Sequence, residues 1–131
     1  MEGLWSFYSA FYTKSTSSDG SSKQDIENKV LHFESGISTL DDNQKSDLDE
    51  IAALMKEDDA VKIVITGHTD AKEDARHAEK RAKEVYTYLA SNKGIDANRI
   101  TYKGVGNEEA LNEGGTPAEE AQNRRVEFKV E

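Results

Sequence analysis

The sequence predicts an α+β fold, a two-layer sandwich in which two main helices cover one face of a four-stranded mixed sheet. Four short segments are rich in alternating or β-branched apolar residues, which is typical of strands. Two longer segments space their apolar residues by three or four, which is typical of amphipathic helices. These segments follow one another in the order β-α-β-α-β-loop-β. Packing both helices on one sheet face buries all of their apolar stripes in one core.

The first predicted elements are a strand over residues 29–35 and an amphipathic helix over 41–57. Asp41 is the expected N-cap of this helix, because a carboxylate can accept a bond from the free N–H groups of the first turn. Gln44 lies three residues later and completes a capping box. The face of the helix that is expected to pack on the sheet carries Leu48, Ile51 and Met55.

The second strand is predicted over residues 61–67, and an apolar stripe of helical spacing follows it from Ala71 onward. This stripe predicts a second helix over 71–92. Asp70 and Glu73 have the spacing of a second capping box, which supports a helix start at 71. Val85 and Leu89 are expected on its buried face.

Two further strands are predicted over residues 99–105 and 125–130. The segment 107–122 between them has five Glu and no Lys or Arg, so it is expected to be an exposed loop. Within it, Thr116–Glu119 has Thr as N-cap, Pro at the first helical position and Glu at the third, which predicts a short helix start.

Residues 1–28 are predicted to be an N-terminal extension or linker, and residues 29–131 the folded domain. The run TKSTSSDGSSKQ at 13–24 has no apolar periodicity, so it has the composition of a linker that could be partly disordered. The aromatic residues within 1–12 favour a frayed terminus or a docked strand over a partner-binding surface.

Composition excludes several classes of protein. The 131 residues include 17 Lys and Arg against 26 Asp and Glu, a net charge of −9, and no Cys. Disulfides, thiolate metal sites and a Cys nucleophile are therefore excluded, and the acid excess argues against nucleic acid as a ligand. No segment reaches the roughly 20 apolar residues that span a bilayer. We expect any export signal or anchor to lie outside this chain.

Three motifs resemble the OmpA-like C-terminal domain family over about residues 29–131. They are Gly-His-Thr-Asp at 67–70 after a strand, Arg-Ala at 81–82 on the next helix, and Asn-Arg-Arg-Val-Glu at 123–127 leading into the last strand. The resemblance implies a non-catalytic module that binds peptidoglycan at the periplasmic face of the bacterial cell envelope, without a cofactor.

The resemblance also implies a ligand and a site. The ligand is the diaminopimelate of the peptide stem, which carries an ammonium and a carboxylate on one carbon. By the family's pattern, Asp70 takes the ammonium and Arg81 takes the carboxylate, since a guanidinium can bind a carboxylate through two parallel bonds. The remaining candidates are Asn123 and Arg124 beside the pocket, with Phe33 and Thr69 as wall contacts.

The segment between Asp70 and Arg81 is shorter than in the family and lacks its turn glycine. If a helix begins at 71, Arg81 lies roughly 16 Å along the axis from Asp70 at 1.5 Å per residue, and Arg76 becomes the nearer cation. Arg81 would then be a surface charge paired with Glu79 or Glu84. The alternative function is a scaffold that has lost the ligand site and serves as a structural or protein-interaction module, with an envelope protein as partner.

No motif predicts an enzyme or a metal protein. The side chains of His68, Asp70 and His77 can bind metals, but no further ligand stands at a fixed spacing from them. The glycines near residue 105 lack the helix that a phosphate-binding loop needs. We therefore expect no metal and no catalytic activity.

Overall fold

The computed structural model describes residues 18–112 and 115–131. The predictions for the aromatic segment 1–12 and for residues 13–17 lie outside these ranges. Two further short turns are present, a π-helical turn over Tyr88–Asn92 and a 3₁₀ turn over Ala97–Arg99. The α-helices and strands of the described residues are α1 Ser18–Glu27, β1 Val30–His32, α2 Asp42–Glu57, β2 Ile63–Gly67, α3 Arg76–Thr87, β3 Ile100–Gly104, α4 Pro117–Asn123 and β4 Arg125–Val130.

The four strands form one mixed sheet in the order β1-β4-β2-β3. Strand β4 pairs antiparallel with both β1 and β2, and β2 pairs parallel with β3. Strand β2 is therefore internal, and Ile65 at its centre lies opposite Phe128 of β4 and Tyr102 of β3. The predicted α+β fold with a four-stranded mixed sheet is confirmed.

The core lies between one face of the sheet and the helices. Along β2, Ile63 and Ile65 are buried whereas Val64 and Thr66 between them are only half-buried, as expected when one face is covered. The five aliphatic residues predicted to be buried are all 0% exposed and join the same apolar cluster: Leu48, Ile51, Met55, Val85 and Leu89.

Helix α2 begins where the sequence predicts. Asp41 accepts a 2.8 Å bond from the Gln44 N–H, and the Gln44 side chain accepts one from the Asp41 N–H, so the capping box is formed. The Gln44 amide also donates to the His32 carbonyl at 2.6 Å. The start of α2 is thereby fixed to the end of β1.

The prediction of a helix over 71–92 is wrong at its start, because α3 begins at Arg76. Ala71, which seemed to extend the apolar stripe, is exposed. The physical reason is that the chain must return to the sheet after β2. Gly67 lies so close to α3 that a Cβ there would be 1.9 Å from the Ala78 carbonyl oxygen. Residues 71–75 form the turn that makes this return.

Residues 18–24 of the segment with linker composition belong to helix α1, which begins at Ser18. Ile26 is 0% exposed and joins the core, and the Glu27 carboxylate accepts a bond from the Val130 N–H of β4. One apolar residue is too little to create helical periodicity in the sequence. The packing of Ile26 nevertheless provides a reason for the helix to form on the domain.

The remaining elements differ from prediction mainly in length. Strand β1 has three residues instead of the predicted seven, although the Phe33 N–H still bonds to the Arg124 carbonyl. The acidic segment after β3 ends in α4, whose Thr116 and Glu119 form the predicted capping box. Among the described residues, no helix has the length and apolar composition that a membrane-spanning segment requires.

Candidate functional site

The candidate site lies just beyond the C-terminal end of β2. Three segments meet there: the residues after β1 from Phe33 to Ile37, the turn 68–75 after β2, and Arg124 at the start of β4. Strand β4 lies between β1 and β2 and runs antiparallel to both. The C-terminal ends of β1 and β2 therefore lie on either side of the start of β4. The site is therefore a product of the strand order.

Asp70 is buried, with its side chain 3% exposed. Its Oδ1 accepts bonds from the backbone N–H groups of Lys72 and Glu73, and its Oδ2 accepts one from Arg124 Nη1 at 2.9 Å. Burial acts most strongly on the pKa of Asp70 and raises it, but the bonds from Arg124 and from the two N–H groups together outweigh burial. The pKa of Asp70 therefore lies below its usual value and the group is ionised at neutral pH.

Arg81 is wholly buried and all five of its N–H donors are used within the chain. Three of them bond to the carbonyls of Ile37, His68 and Glu34, at 2.8, 3.0 and 3.1 Å. The other two bond to the two carboxylate oxygens of Glu73, at 2.5 and 2.8 Å. The alternative considered for the sequence, in which Arg81 is a surface charge paired with Glu79 or Glu84, is therefore wrong.

Glu73 is the partner that the sequence analysis missed, although its spacing from Asp70 was noticed. The predicted capping box is present, because the Asp70 N–H donates to Glu73 Oε1 and the Glu73 N–H donates to Asp70 Oδ1. It closes a turn instead of starting a helix. Burial is the largest effect on the pKa of Glu73 and raises it, but the bonds from Arg81 and the backbone outweigh burial and leave the pKa low.

Arg124 offers donors that Arg81 does not. Its Nε bonds to the Phe33 carbonyl and its Nη1 to Asp70, while its Nη2 makes no hydrogen bond within the described residues. The Arg124 side chain is 14% exposed, against 3% for Asp70. It lines a shallow groove of about 330 Å³ together with Phe33, Glu34 and Gln122. Of the two guanidinium groups at this site, Arg124 is therefore the one that reaches solvent, whereas Arg81 is wholly buried.

The other predicted residues support this geometry. The Phe33 ring lies under the Arg81 guanidinium, whose carbon is 5.2 Å from the ring centroid, a cation–π distance. Thr69 is buried and its N–H bonds to the Gly106 carbonyl. The Asn123 side chain accepts a bond from the Leu111 N–H and donates one to Asn112, so its amide fixes the preceding loop.

Two cations named in the sequence analysis have structural partners. Arg76, the predicted alternative to Arg81, is an exposed side chain that pairs with Asp74. Arg125 is buried, and its Nε donates to Glu127 at 2.7 Å along β4. Neither cation reaches Asp70.

His68 is buried beneath the site at 1% exposure. Neither of its ring nitrogens has a hydrogen bond within the described residues, and its Nε2 lies 3.5 Å from Glu127 Oε1. Burial is the main cause that lowers the pKa of His68, and the nearby Arg125 lowers it further. His68 is therefore neutral at physiological pH.

Residues 32–124 match the OmpA family. Outer membrane protein A of Bordetella avium is 34% identical over 107 residues, which are 79% of this chain and 55% of that protein. The chain thus spans about half the length of that relative.

Two solved structures are similar in fold. The peptidoglycan-associated lipoprotein from Burkholderia pseudomallei superposes with a TM-score of 0.75 at 23% identity, covering 82% of this chain and 93% of that one. The cell wall anchor of the T6SS from Pseudomonas aeruginosa gives a TM-score of 0.64 at 28% identity, covering 73% and 71%. The first likeness concerns the fold alone.

Proposed function

The chain belongs to the OmpA family, and from that premise we propose that it is a non-catalytic module of the bacterial cell envelope that binds peptidoglycan non-covalently. The observation that carries the proposal is the Asp70–Arg124 pair, a buried carboxylate 2.9 Å from a partly exposed guanidinium whose Nη2 has no hydrogen bond to the described part of the chain. Two of the similar structures belong to proteins described as peptidoglycan-associated and as a cell wall anchor. A position on the periplasmic face of the envelope follows from this proposal.

We propose further that the group recognised is the diaminopimelate of the peptide stem. Its amino acid end carries an ammonium and a carboxylate on one carbon. Among residues 18–112 and 115–131, Asp70 Oδ2 accepts one bond, so it has a lone pair for an ammonium donor, and Arg124 Nη2 can donate to the carboxylate. Phe33 and Glu34 line the groove beside them and leave space for the remainder of the stem.

A second candidate function is supported by a different observation. Arg81, to which the family pattern gives the ligand carboxylate, has every donor occupied by the chain itself. A scaffold in this state could serve as a structural or protein-interaction module with an envelope protein as partner. The two functions differ in whether the protein is retained by peptidoglycan alone.

Co-sedimentation with purified insoluble peptidoglycan tests the proposal. We expect the protein to be retained and to be released by free meso-diaminopimelate, but not by an equal concentration of pimelate, which has the same carboxylates without the ammonium groups. Asp70→Asn and Arg124→Gln should each reduce retention strongly, because each removes one charge that faces the zwitterion. Asp74→Asn is the matched control, since Asp74 lies in the same turn but pairs with Arg76 at the surface.

The outcomes separate the two functions. Retention that is lost in Asp70→Asn but kept in Asp74→Asn supports the proposed site. Retention that is equal in all variants overturns the site assignment. No retention of the unaltered protein overturns peptidoglycan binding and favours the interaction module.

A further inference from the structure

The carboxylate of Glu73 is held like a bound ligand. It accepts four hydrogen bonds, from the Asp70 N–H, the Gly36 N–H and the two Nη atoms of Arg81. Its side chain is 3% exposed and that of Arg81 is 0% exposed. Four donors with two parallel bonds from one guanidinium form a strong and specific arrangement for a single carboxylate.

The donors and the carboxylate come from different kinds of structure. Gly36 lies after β1, Asp70 lies after β2, and Arg81 lies within α3. Three backbone carbonyls also accept bonds from Arg81 and fix its position. Glu73 instead belongs to the turn 71–75, whose neighbouring Lys72 side chain is 76% exposed. The packed framework supplies the receptor, and a short surface turn supplies the group that fills it.

We propose that Gly36, Asp70 and Arg81 form a carboxylate receptor that Glu73 occupies when no ligand is bound, and that a carboxylate of the ligand binds by replacing Glu73. The identity of that ligand as peptidoglycan rests on the proposed function. The receptor itself rests on the contacts of Glu73. The exchange moves the turn 71–75 outward and brings Arg81, together with Asp70, into contact with the ligand.

The exchange is physically reasonable because it replaces one carboxylate by another. Removing the partner of a buried guanidinium leaves an uncompensated charge, which is strongly unfavourable. With an incoming carboxylate, Arg81 keeps all five of its bonds in the final state, and Glu73 becomes hydrated. The low pKa of Glu73 means that its carboxylate is charged at neutral pH and competes with the ligand. Self-occupation therefore reduces the apparent association constant to its intrinsic value multiplied by the fraction of molecules whose receptor is empty.

Chemical rescue with acetate tests the receptor without any assumption about peptidoglycan. Glu73→Ala removes the internal carboxylate and leaves space for an external one. Its thermal unfolding is measured in sodium acetate and in sodium chloride of the same ionic strength. We expect the variant to unfold at a lower temperature than the unaltered protein, and acetate to raise that temperature by several degrees more than chloride does.

Glu79→Ala is the matched control, because it removes one negative charge from an exposed position in the first turn of α3. Neither this variant nor the unaltered protein should show a specific effect of acetate. If Glu73→Ala is unfolded in chloride, the same titration is followed by circular dichroism, and refolding in acetate supports the receptor. Equal behaviour of Glu73→Ala in acetate and chloride overturns it.

Co-sedimentation with peptidoglycan separates this inference from the proposed function. If both are correct, Glu73→Ala is retained several-fold more tightly than the unaltered protein, because no internal carboxylate competes. Acetate rescue without retention of either protein means that the receptor exists but that peptidoglycan is not its ligand. Retention of the unaltered protein without acetate rescue means that peptidoglycan binds while Glu73 is only a structural ion-pair partner.

Discussion

The apolar core and the polar cluster of Asp70, Glu73 and Arg81 are both buried, and helix α3 contributes to each. Val85 of α3 is 0% exposed within the core, and Arg81 of the same helix is 0% exposed within the cluster. The core is held by many non-directional contacts, whose contributions add up gradually. The cluster is held by directional bonds, and each buried donor needs its own acceptor. Two equally buried regions should therefore differ in how a damaging substitution can be compensated, because a second change can restore charge balance in the cluster but cannot refill a cavity in the core.

The largest effect should come from breaking the cluster. Arg81→Met leaves the Glu73 carboxylate buried without its partner, and the loss of such a partner typically costs about 3–5 kcal/mol. The free energy of unfolding, measured in urea, should fall by that order. Restoring charge balance with the double substitution Arg81→Met and Glu73→Met should recover part of the loss. A double variant that is less stable than Arg81→Met alone would contradict this view of the cluster.

Truncation in the core should have a similar or slightly smaller effect, but without rescue by a second change. Leu48→Ala and Leu89→Ala each remove most of a side chain that is 0% exposed, which typically costs about 2–5 kcal/mol. Leu111→Ala is the control, because that side chain is 61% exposed and its truncation should cost under about 0.5 kcal/mol. Similar losses for Leu89 and Leu111 in urea unfolding would show that the core is misassigned.

The two capping boxes allow the same motif to be compared in the two regions. Asp41→Ala removes the N-cap of α2 and should cost about 1 kcal/mol, the usual value for a helix cap. Asp70→Ala removes the corresponding carboxylate of the turn 70–73, and with it the ion pair to Arg124. Its loss should be clearly larger in the same urea experiment. Equal losses would mean that Asp70 acts only as a cap.

The smallest effects should appear in the dependence of stability on pH. His68 has a lowered pKa in the folded protein, so below about pH 6.5 the unfolded chain binds more protons and stability falls as the pH falls. Asp70 and Glu73 also have lowered pKa values, so their contribution is complete above about pH 4 and is lost below it as the folded pKa values are crossed.

Unfolding free energies measured from pH 3 to 8 check both intervals. The unaltered protein should gain stability up to about pH 6.5 and then level off with respect to these three groups. His68→Gln should reduce the slope in the upper part of the interval only, and Glu73→Gln in the acid part only. Leu48→Ala should shift the whole curve and keep its shape, since the core contains no titrating group at that position. A changed slope in Leu48→Ala would contradict the separation of the two regions.

The core was predictable from the sequence because the spacing of apolar residues along a helix indicates which face of that helix packs on the sheet. Leu48 and Leu89 were placed correctly from spacing alone, and Asp41 from its position before an apolar run. The same reasoning failed at Ala71, where an apolar residue lies exposed in a turn. Alanine is compatible with both environments, so its position carried little information.

The site was only partly predictable. The motifs indicated Asp70, Arg81 and Arg124. At the end of β2 the Asp70 side chain bonds directly to Arg124, whereas Arg81 is linked to Asp70 through the Glu73 carboxylate. The role of Glu73 was not predictable, because a carboxylate three residues after Asp70 is equally consistent with a helix cap. Whether it points along a helix or inward to Arg81 depends on the close approach of α3 to Gly67, which no local pattern records. Helix α1 was missed for a related reason, since Ile26 is the one apolar residue in its sequence and the residue of α1 that joins the core.

The internal position of β4 has a consequence for the order in which the molecule can be assembled. Strand β1 is hydrogen-bonded in the sheet to β4 alone, yet these two strands are separated by almost the whole domain in sequence. A ribosome delivers residues 125–130 after all the other elements described here. Until then β1 has no neighbour, β2 has only β3, and Asp70 lacks Arg124. Pairings of such long sequence separation form slowly. The chain must therefore stay incompletely folded during its synthesis, and the candidate site is finished at the same moment as the fold.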